Sequence, residues 1–190
     1  MKILLNVPNL MGYCRLILAI FAWCKWDNPT LFLSLFIASS ILDFFDGMVA
    51  RYLNQTSVFG AWLDVTLDNL TRGMIWGRLY PDWGFIVISV EWLTFVCTHQ
   101  LGGNWKTPTK QHPKLVSLVM ANNFNTPLGL WAISSVWFLP VWLYCLRFSL
   151  ISSTMVSLLG SVVLVLGRCV AFLVESWFIL QHIKKLLNEG

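Results

Sequence analysis

The stretch DFFDGMVARYLNQTSVFGAWLDVTLD, residues 43–68, sets four aspartates, Asp43, Asp46, Asp64 and Asp68, inside or beside the most apolar segments of the chain. A charged side chain in a bilayer core costs a few kcal/mol even on lenient scales. Two readings compete. Either these segments do not span a membrane, or something neutralises the carboxylates and uses them.

Composition decides for the membrane. The chain has 190 residues, 57% hydrophobic and only 12% charged, with eleven tryptophans and thirteen phenylalanines. Soluble domains average roughly 25% charged residues. A soluble core of this size could not hide so many apolar side chains, because small domains keep much of their surface exposed. The five cysteines, Cys14, Cys24, Cys97, Cys145 and Cys169, stand singly in apolar runs. Their odd count and lack of paired spacing exclude a disulfide framework or a zinc site. No nucleic-acid partner is expected; the partner is the lipid bilayer.

A membrane span needs about twenty mostly apolar residues. The pattern predicts an all-α protein, an integral membrane six-helix bundle in one domain over residues 1–190. The spans fall at roughly 9–26, 30–51, 60–80, 83–101, 124–146 and 150–180, the last long enough to tilt or project. Breaks at KWDNPT, YLNQTSV, YPDW, GGNWKTPTKQHPK and RFS carry the residues expected of turns. No small-x-small cleavage site follows LILAIFAWCKW, so the first span is expected to be retained, led by a short interfacial helix.

Six spans put both termini and the second and fourth connections on one side. Lys2, Arg15, Arg51, Lys106, Lys110, Lys114, Lys184 and Lys185 fall there, against Lys25, Arg78 and Arg147 opposite. The bias predicts cytosolic termini and a cytosolic aspartate-bearing loop. The N-glycosylation patterns at Asn54 and Asn69 are then not used, the first facing the cytosol and the second lying inside a span.

Asp43 and Asp46 close the second span; Asp64 and Asp68 open the third. Residues three or four apart share one helix face. The connection between Arg51 and Gly60 returns the chain antiparallel, so the two faces can meet and four carboxylates can converge. Four such charges at close range do not stay ionised together unaided. The nearby cations in this stretch are Arg51 and Arg72. A pair of divalent ions is the simplest remedy, and all-oxygen ligation points to Mg²⁺ or Mn²⁺. Paired metals suit displacement at phosphorus. Gly47, Ala50 and Gly60 surround the aspartates with small residues, either to admit a ligand to the backbone or to pack helices closely. Arg51 reads as a phosphate partner or as an interfacial anchor.

Asp43-x-x-Asp46-Gly47-x-x-Ala50-Arg51, eight residues, Gly60, three residues, Asp64, three residues, Asp68 resembles the signature of the CDP-alcohol phosphotransferases. Eight residues at fixed spacing, each type occurring at roughly one in ten to one in twenty, leave no room for coincidence. The resemblance implies a membrane enzyme of six core helices, often dimeric, so a homodimer is expected. Asp43 and Asp64 would bridge two metals, Asp46 would complete one metal site, and Asp68 would contact the second and act as catalytic base. Gly47, Ala50, Arg51 and Gly60 would line the cytidine diphosphate pocket, with Ser57 contacting the donor.

VPNLMGYCRLILAI and RYLNQTSVFGAWLD are similar to the eukaryotic, inositol-using branch of that family. This implies transfer of a phosphatidyl group from CDP-diacylglycerol to myo-inositol, with release of CMP, in the endoplasmic reticulum membrane. Asn69 stands where relatives usually carry a basic residue, and Thr126-Pro127 where inositol-using relatives tend to carry Arg-Pro. Another acceptor (glycerol phosphate, serine, an amino alcohol) therefore stays open, as does a catalytically silent relative that binds the donor. Glu91, inside span four, should face protein or water: it either shapes the acceptor pocket or bonds to a neighbouring helix. His99 and His112 lack metal-ligand spacing and read as solvated or core histidines. The Lys106–Lys114 run reads as a surface for anionic lipid.

Overall fold

The computed structural model describes residues 2–99 and 112–189. Its elements are helices throughout: a 3-10 turn at Lys2–Leu5, then α1 (Val7–Cys24), α2 (Pro29–Tyr52), α3 (Val58–Leu79), α4 (Gly84–His99), α5 (Lys114–Met120), α6 (Pro127–Arg147) and α7 (Thr154–Glu189). The expected six long helices are present, and the first is led by the expected short one.

Local chemistry sets the starts. The side chain of Asn28 accepts a hydrogen bond from the Leu31 N–H at 3.1 Å and Pro29 opens α2. Thr126 accepts from the Gly129 N–H at 3.1 Å and Pro127 opens α6. Ser57 accepts from the Gly60 N–H at 2.9 Å at the head of α3. A capping oxygen satisfies one of the orphan donors of the first turn, and proline there has no N–H to lose. Asn28 and Ser57, both in stretches that read as breaks, start the next helix, whereas Thr126 caps α6 from inside the span expected at 124–146.

Two features differ from expectation. The six-helix count is not exact, because α5 forms where a connection was expected. Val116, Val119 and Met120 of this seven-residue helix are buried, so packing rather than propensity holds it. Four helices, α1, α2, α6 and α7, are long and apolar enough to cross a membrane. α3 falls short in apolarity, since Asp64, Asp68, Arg72 and Arg78 all lie in it. The sixteen residues of α4 reach about 24 Å at the α-helical rise, less than the roughly 30 Å of a hydrocarbon core.

The chain divides into two compact units, Met1–Met74 and Ile75–Gly190. In the first, α1 packs along α2. Asn9, Gly12, Arg15, Ala19 and Ala22 make one buried stripe on α1, at helical spacing. Phe32, Phe36 and Ser39 are the buried residues of α2, and the Ser39 hydroxyl donates to the Arg15 carbonyl at 3.3 Å. In the second unit, α5, α6 and α7 share a core of Val116, Val119, Met120, Ala132, Ala171, Val174 and Phe178. The Trp131 indole donates to the Val163 carbonyl at 3.2 Å and the Trp142 indole to the Ser161 hydroxyl at 3.1 Å, tying α6 to α7. The outward residues of α7, among them Leu158, Leu159, Val162 and Leu166, stay exposed, as a lipid-facing helix requires. The protein is an all-α, multi-pass membrane protein.

Gly129 carries a checkable consequence. A Cβ there would press on the carbonyl oxygens of Val119 and Phe124, which cannot swing aside. Gly129→Ala should destabilise the protein by about 1–3 kcal/mol, the usual cost of overpacking, and lower the unfolding temperature in detergent. Leu130→Ala, on the exposed face, is the control and should leave that temperature nearly unchanged.

Candidate active site

All four aspartates of the opening stretch converge, and they converge on one residue from a different helix. Arg15, in the middle of α1, is 4% exposed. Its Nη1 donates to Asp46 Oδ2 and to Asp64 Oδ1, each at 2.8 Å. Its Nη2 donates to Asp68 Oδ1 at 2.7 Å and pairs with Asp43. The planar fork of a guanidinium suits this duty: it holds several carboxylates at once and never loses its charge.

This corrects two expectations. Arg15, counted with the charges near the entry of the first span, is buried and paired with the aspartates, so it drops out of the positive-side bias, which then rests on the remaining basic residues. Nor are Arg51 and Arg72 the only cations near the aspartates. The signal was in the sequence: Asn9, Gly12 and Arg15 recur every third residue in an apolar run, and a buried arginine in such a run requires an acidic partner. Gly12 makes the meeting possible. A Cβ there would lie 3.3 Å from side-chain carbons of Leu63 and Leu67, so α3 lies close against α1 at its aspartate-bearing turns.

Arg72 supplies a second positive charge, its Nη1 3.9 Å from Asp68 Oδ2. Its Nη2 donates to Asn69 Oδ1 at 2.6 Å. Asn69 therefore stands in the expected basic position and steadies the basic group one turn further on.

Asp43, Asp64 and Asp68 each offer a carboxylate oxygen such that all three lie within 4.8 Å of one another. An all-oxygen set already gathered around a cation is the donor chemistry of a hard divalent ion, so the residues present fit such a group. Asp46 reaches Arg15 but stands outside this trio.

Next to the cluster lies a cavity of about 220 Å³. The five expected nucleotide-site residues, Gly47, Ala50, Arg51, Ser57 and Gly60, all line it, together with Asp46 and Asp64. Four wall residues from α1, Pro8, Asn9, Gly12 and Arg15, were not anticipated. The Arg51 guanidinium folds back over Gly47, 3.8 Å from where a Cβ would sit. Gly60 faces Asn9 Oδ1, and a Cβ would come within 3.0 Å of it. The Gln55 side chain accepts from the Val7 N–H at 3.0 Å, tying the α2–α3 connection to the head of α1.

The remaining candidates lie elsewhere. Glu91 pairs with Arg168 of α7 at 3.4 Å, and Arg168 also pairs with Glu175 at 2.8 Å. Of its two readings, the bond to a neighbouring helix is the one observed. His112 packs on the rings of Trp177 and Phe178, and its burial pushes its pKa below the ordinary histidine value. His99 closes α4. Lys106 and Lys110 lie outside the described residues, while Lys114 opens α5. All five cysteines are free.

Residues 5–100 match the CDP-alcohol phosphatidyltransferase family. The chain belongs to this family. Among its relatives is the CDP-diacylglycerol–inositol 3-phosphatidyltransferase of Candida albicans, 30% identical over 80% of this chain and 71% of that protein. The enzyme of the same name from Schizosaccharomyces pombe is 32% identical over 62% of this chain and 54% of its own length. The first such enzyme of Arabidopsis thaliana is 41% identical over 54% of this chain and 49% of its own. The chain thus spans more than two thirds of the Candida relative but only about half of the other two. No solved structure matches it. The family match covers the segment that carries the four aspartates and the cavity wall.

The Glu91–Arg168–Glu175 group makes its own prediction. Removing one partner of a buried pair typically costs about 3–5 kcal/mol. Arg168→Met should therefore lower the unfolding temperature sharply, and adding Glu91→Gln should restore part of the loss. An unchanged midpoint in the single variant would deny the pair any structural role.

Proposed function

We propose that this chain transfers the phosphatidyl group of CDP-diacylglycerol to myo-inositol, giving phosphatidylinositol and CMP. The observation that carries the reading is the convergence of four carboxylates beside a cavity lined by Gly47, Ala50, Arg51, Ser57 and Gly60. The printed names of the relatives support the choice of donor and acceptor.

The mechanism follows from these residues. The small side chains of Gly47, Ala50 and Gly60 let the cytidine diphosphate group approach the helix backbones, and Arg51 faces its phosphates as a charge-assisted donor. The Ser57 hydroxyl reaches the same cavity from the head of α3 and would contact the donor. Asp43 and Asp64 would serve both of two divalent ions, Asp46 one of them and Asp68 the other. Bound Mg²⁺ or Mn²⁺ would neutralise the carboxylates and stabilise the charge on the diphosphate oxygens. Asp68 takes the proton of the acceptor hydroxyl, and that oxygen attacks the phosphorus bearing the diacylglycerol. The new phosphorus–oxygen bond forms as the bond to the bridging diphosphate oxygen breaks, and CMP leaves with the electron pair. Arg72 offers Asp68 a positive partner, its Nη1 3.9 Å from Oδ2.

A second acceptor reading rests on one observation. Where inositol-using relatives tend to carry Arg-Pro, the Thr126 hydroxyl here is committed to capping α6 and to the Leu118 carbonyl at 3.1 Å. Glycerol phosphate, serine or an amino alcohol would then replace inositol with the donor chemistry unchanged. A silent, donor-binding relative is disfavoured, since a dead site would gain stability by shedding its carboxylates. The proposed setting is the endoplasmic reticulum membrane, with the chain as a homodimer and its termini and site on the cytosolic face.

Purified protein with CDP-diacylglycerol, Mg²⁺ or Mn²⁺ and a panel of labelled alcohols tests the assignment by CMP release and lipid product. Labelled phosphatidylinositol is the expected product; donor binding without any product would establish the silent reading. Asp43→Ala and Asp64→Ala should abolish turnover, and activity in either at saturating metal would sink the shared-metal assignment. Asp68→Asn keeps a ligand oxygen and loses the base, so turnover should fall about 10²–10⁴-fold with donor binding retained. Asp46→Asn should instead weaken metal and donor binding.

Orientation is checked separately. A cysteine replacing Tyr52, 87% exposed at the end of α2, should react with an impermeant thiol reagent from the cytosolic side. One replacing Asn28, at the opposite end of the same helix, should react only from the lumen. The reverse pattern would invert the topology.

A further inference from the structure

We infer that Arg15 is a resident counter-cation of the carboxylate site, one that divalent ions must displace. The inference rests on the proposal that these carboxylates hold metal, and it adds a role for a residue of α1. The guanidinium reaches all four carboxyl groups at once, with hydrogen bonds of 2.7–2.8 Å to Asp46, Asp64 and Asp68. A divalent ion on oxygen ligands sits about 2.0–2.6 Å from each. An ion on those same oxygens would take the space that the guanidinium nitrogens occupy, 2.7–2.8 Å from three of the four carboxylates, so the ion and the fork compete for one position. Metal entry and the present Arg15 geometry exclude each other.

The charge count agrees. Among the described residues, the four carboxylates face two guanidiniums, Arg15 and Arg72, and two negative charges remain. Arg15 lowers the repulsion among the aspartates enough for α1, α2 and α3 to close, yet leaves the site attractive to cations. If two divalent ions bound with both guanidiniums still nearby, the excess would be positive by two. A doubly negative diphosphate diester balances that excess. Arg15 is placed for the exchange because it lines both the carboxylate cluster and the adjoining cavity. Arg15 shares that cavity with the small residues Gly47 and Ala50 and with Arg51, so the guanidinium can turn from the carboxylates toward the diphosphate without leaving the protein.

A binding site that is competent only in a fraction of molecules shows an apparent affinity reduced by that fraction. Removing the competitor should therefore tighten metal binding. The experiment uses the full chain in detergent, stripped with chelator, with Mn²⁺ as the probe. Free Mn²⁺ is followed by electron paramagnetic resonance and the fold by thermal unfolding. Arg15→Gln should bind Mn²⁺ about tenfold more tightly than the unmutated protein, or better. Its metal-free unfolding temperature should fall, and Mn²⁺ should restore it, with a larger upward shift than in the unmutated protein. Arg15→Lys keeps the charge and loses the fork, so it should fold without metal and still bind Mn²⁺ more tightly. Equal or weaker Mn²⁺ binding in the variants would overturn the inference, as would a stability loss that Mn²⁺ fails to repair. Should Arg15→Gln not fold, Arg15→Lys alone decides by the same affinity comparison. If none of the three proteins binds Mn²⁺, the metal reading of the site fails and this inference fails with it.

Discussion

One buried guanidinium organises the first half of the chain. Arg15 sits in α1 among apolar residues, where a lone positive charge would be intolerable. Two pairs of aspartates, one on α2 and one on α3, are intolerable for the same reason and of opposite sign. Bringing them together removes both problems and leaves little freedom in how the helices meet. The register of α1 against α3 follows, because Gly12 must face Leu63 and Leu67 for Arg15 to reach Asp64 and Asp68. The Ser39 hydroxyl on the Arg15 carbonyl sets α2 in the same way.

The second unit applies the same rule with a different outcome. Glu91, Arg168 and Glu175 join α4 to α7 across a largely apolar interior. There Arg168 follows Gly167, which packs tightly on Ser135 and the Trp131 indole. In the first unit the carboxylates open onto a cavity of about 220 Å³ and outnumber their guanidiniums. Burial with pairing makes a staple; burial with an excess of one sign beside a cavity makes a site that draws cations. The two charge clusters are distinguished here by what borders them.

The cavity owes its shape to omission as much as to what lines it. Gly47, Ala50 and Gly60 contribute almost no side chain, and Gly60 has barely room for one before it meets Asn9 and Ser57. Arg51 fills the space over Gly47 with a flexible, charged arm that a phosphate can recruit. The Gln55 bridge to the Val7 N–H closes the arrangement, so the short α2–α3 connection serves as cavity wall and as clasp on α1.

Much of this was determined by the sequence alone. Helical periodicity put Asp43 with Asp46 and Asp64 with Asp68 on shared faces, and a short connection allowed the faces to meet. Apolar run lengths marked the long helices, and Asn28-Pro29 and Thr126-Pro127 marked two starts, because capping and proline chemistry are local. What the sequence could not decide were the contacts between residues far apart in the chain. α5 exists because Val116, Val119 and Met120 find a core on α6 and α7, which no local propensity announces. Arg15 read as a charge near the entry of the first span because its partners lie 28 to 53 residues away. Glu91 had two readings until Arg168, 77 residues on, was found beside it. Electrostatic need can be read from a sequence as an unpaired charge in an apolar run; the partner that meets it is chosen only when helices pack, since Coulomb attraction depends on distance in space and not on separation along the chain.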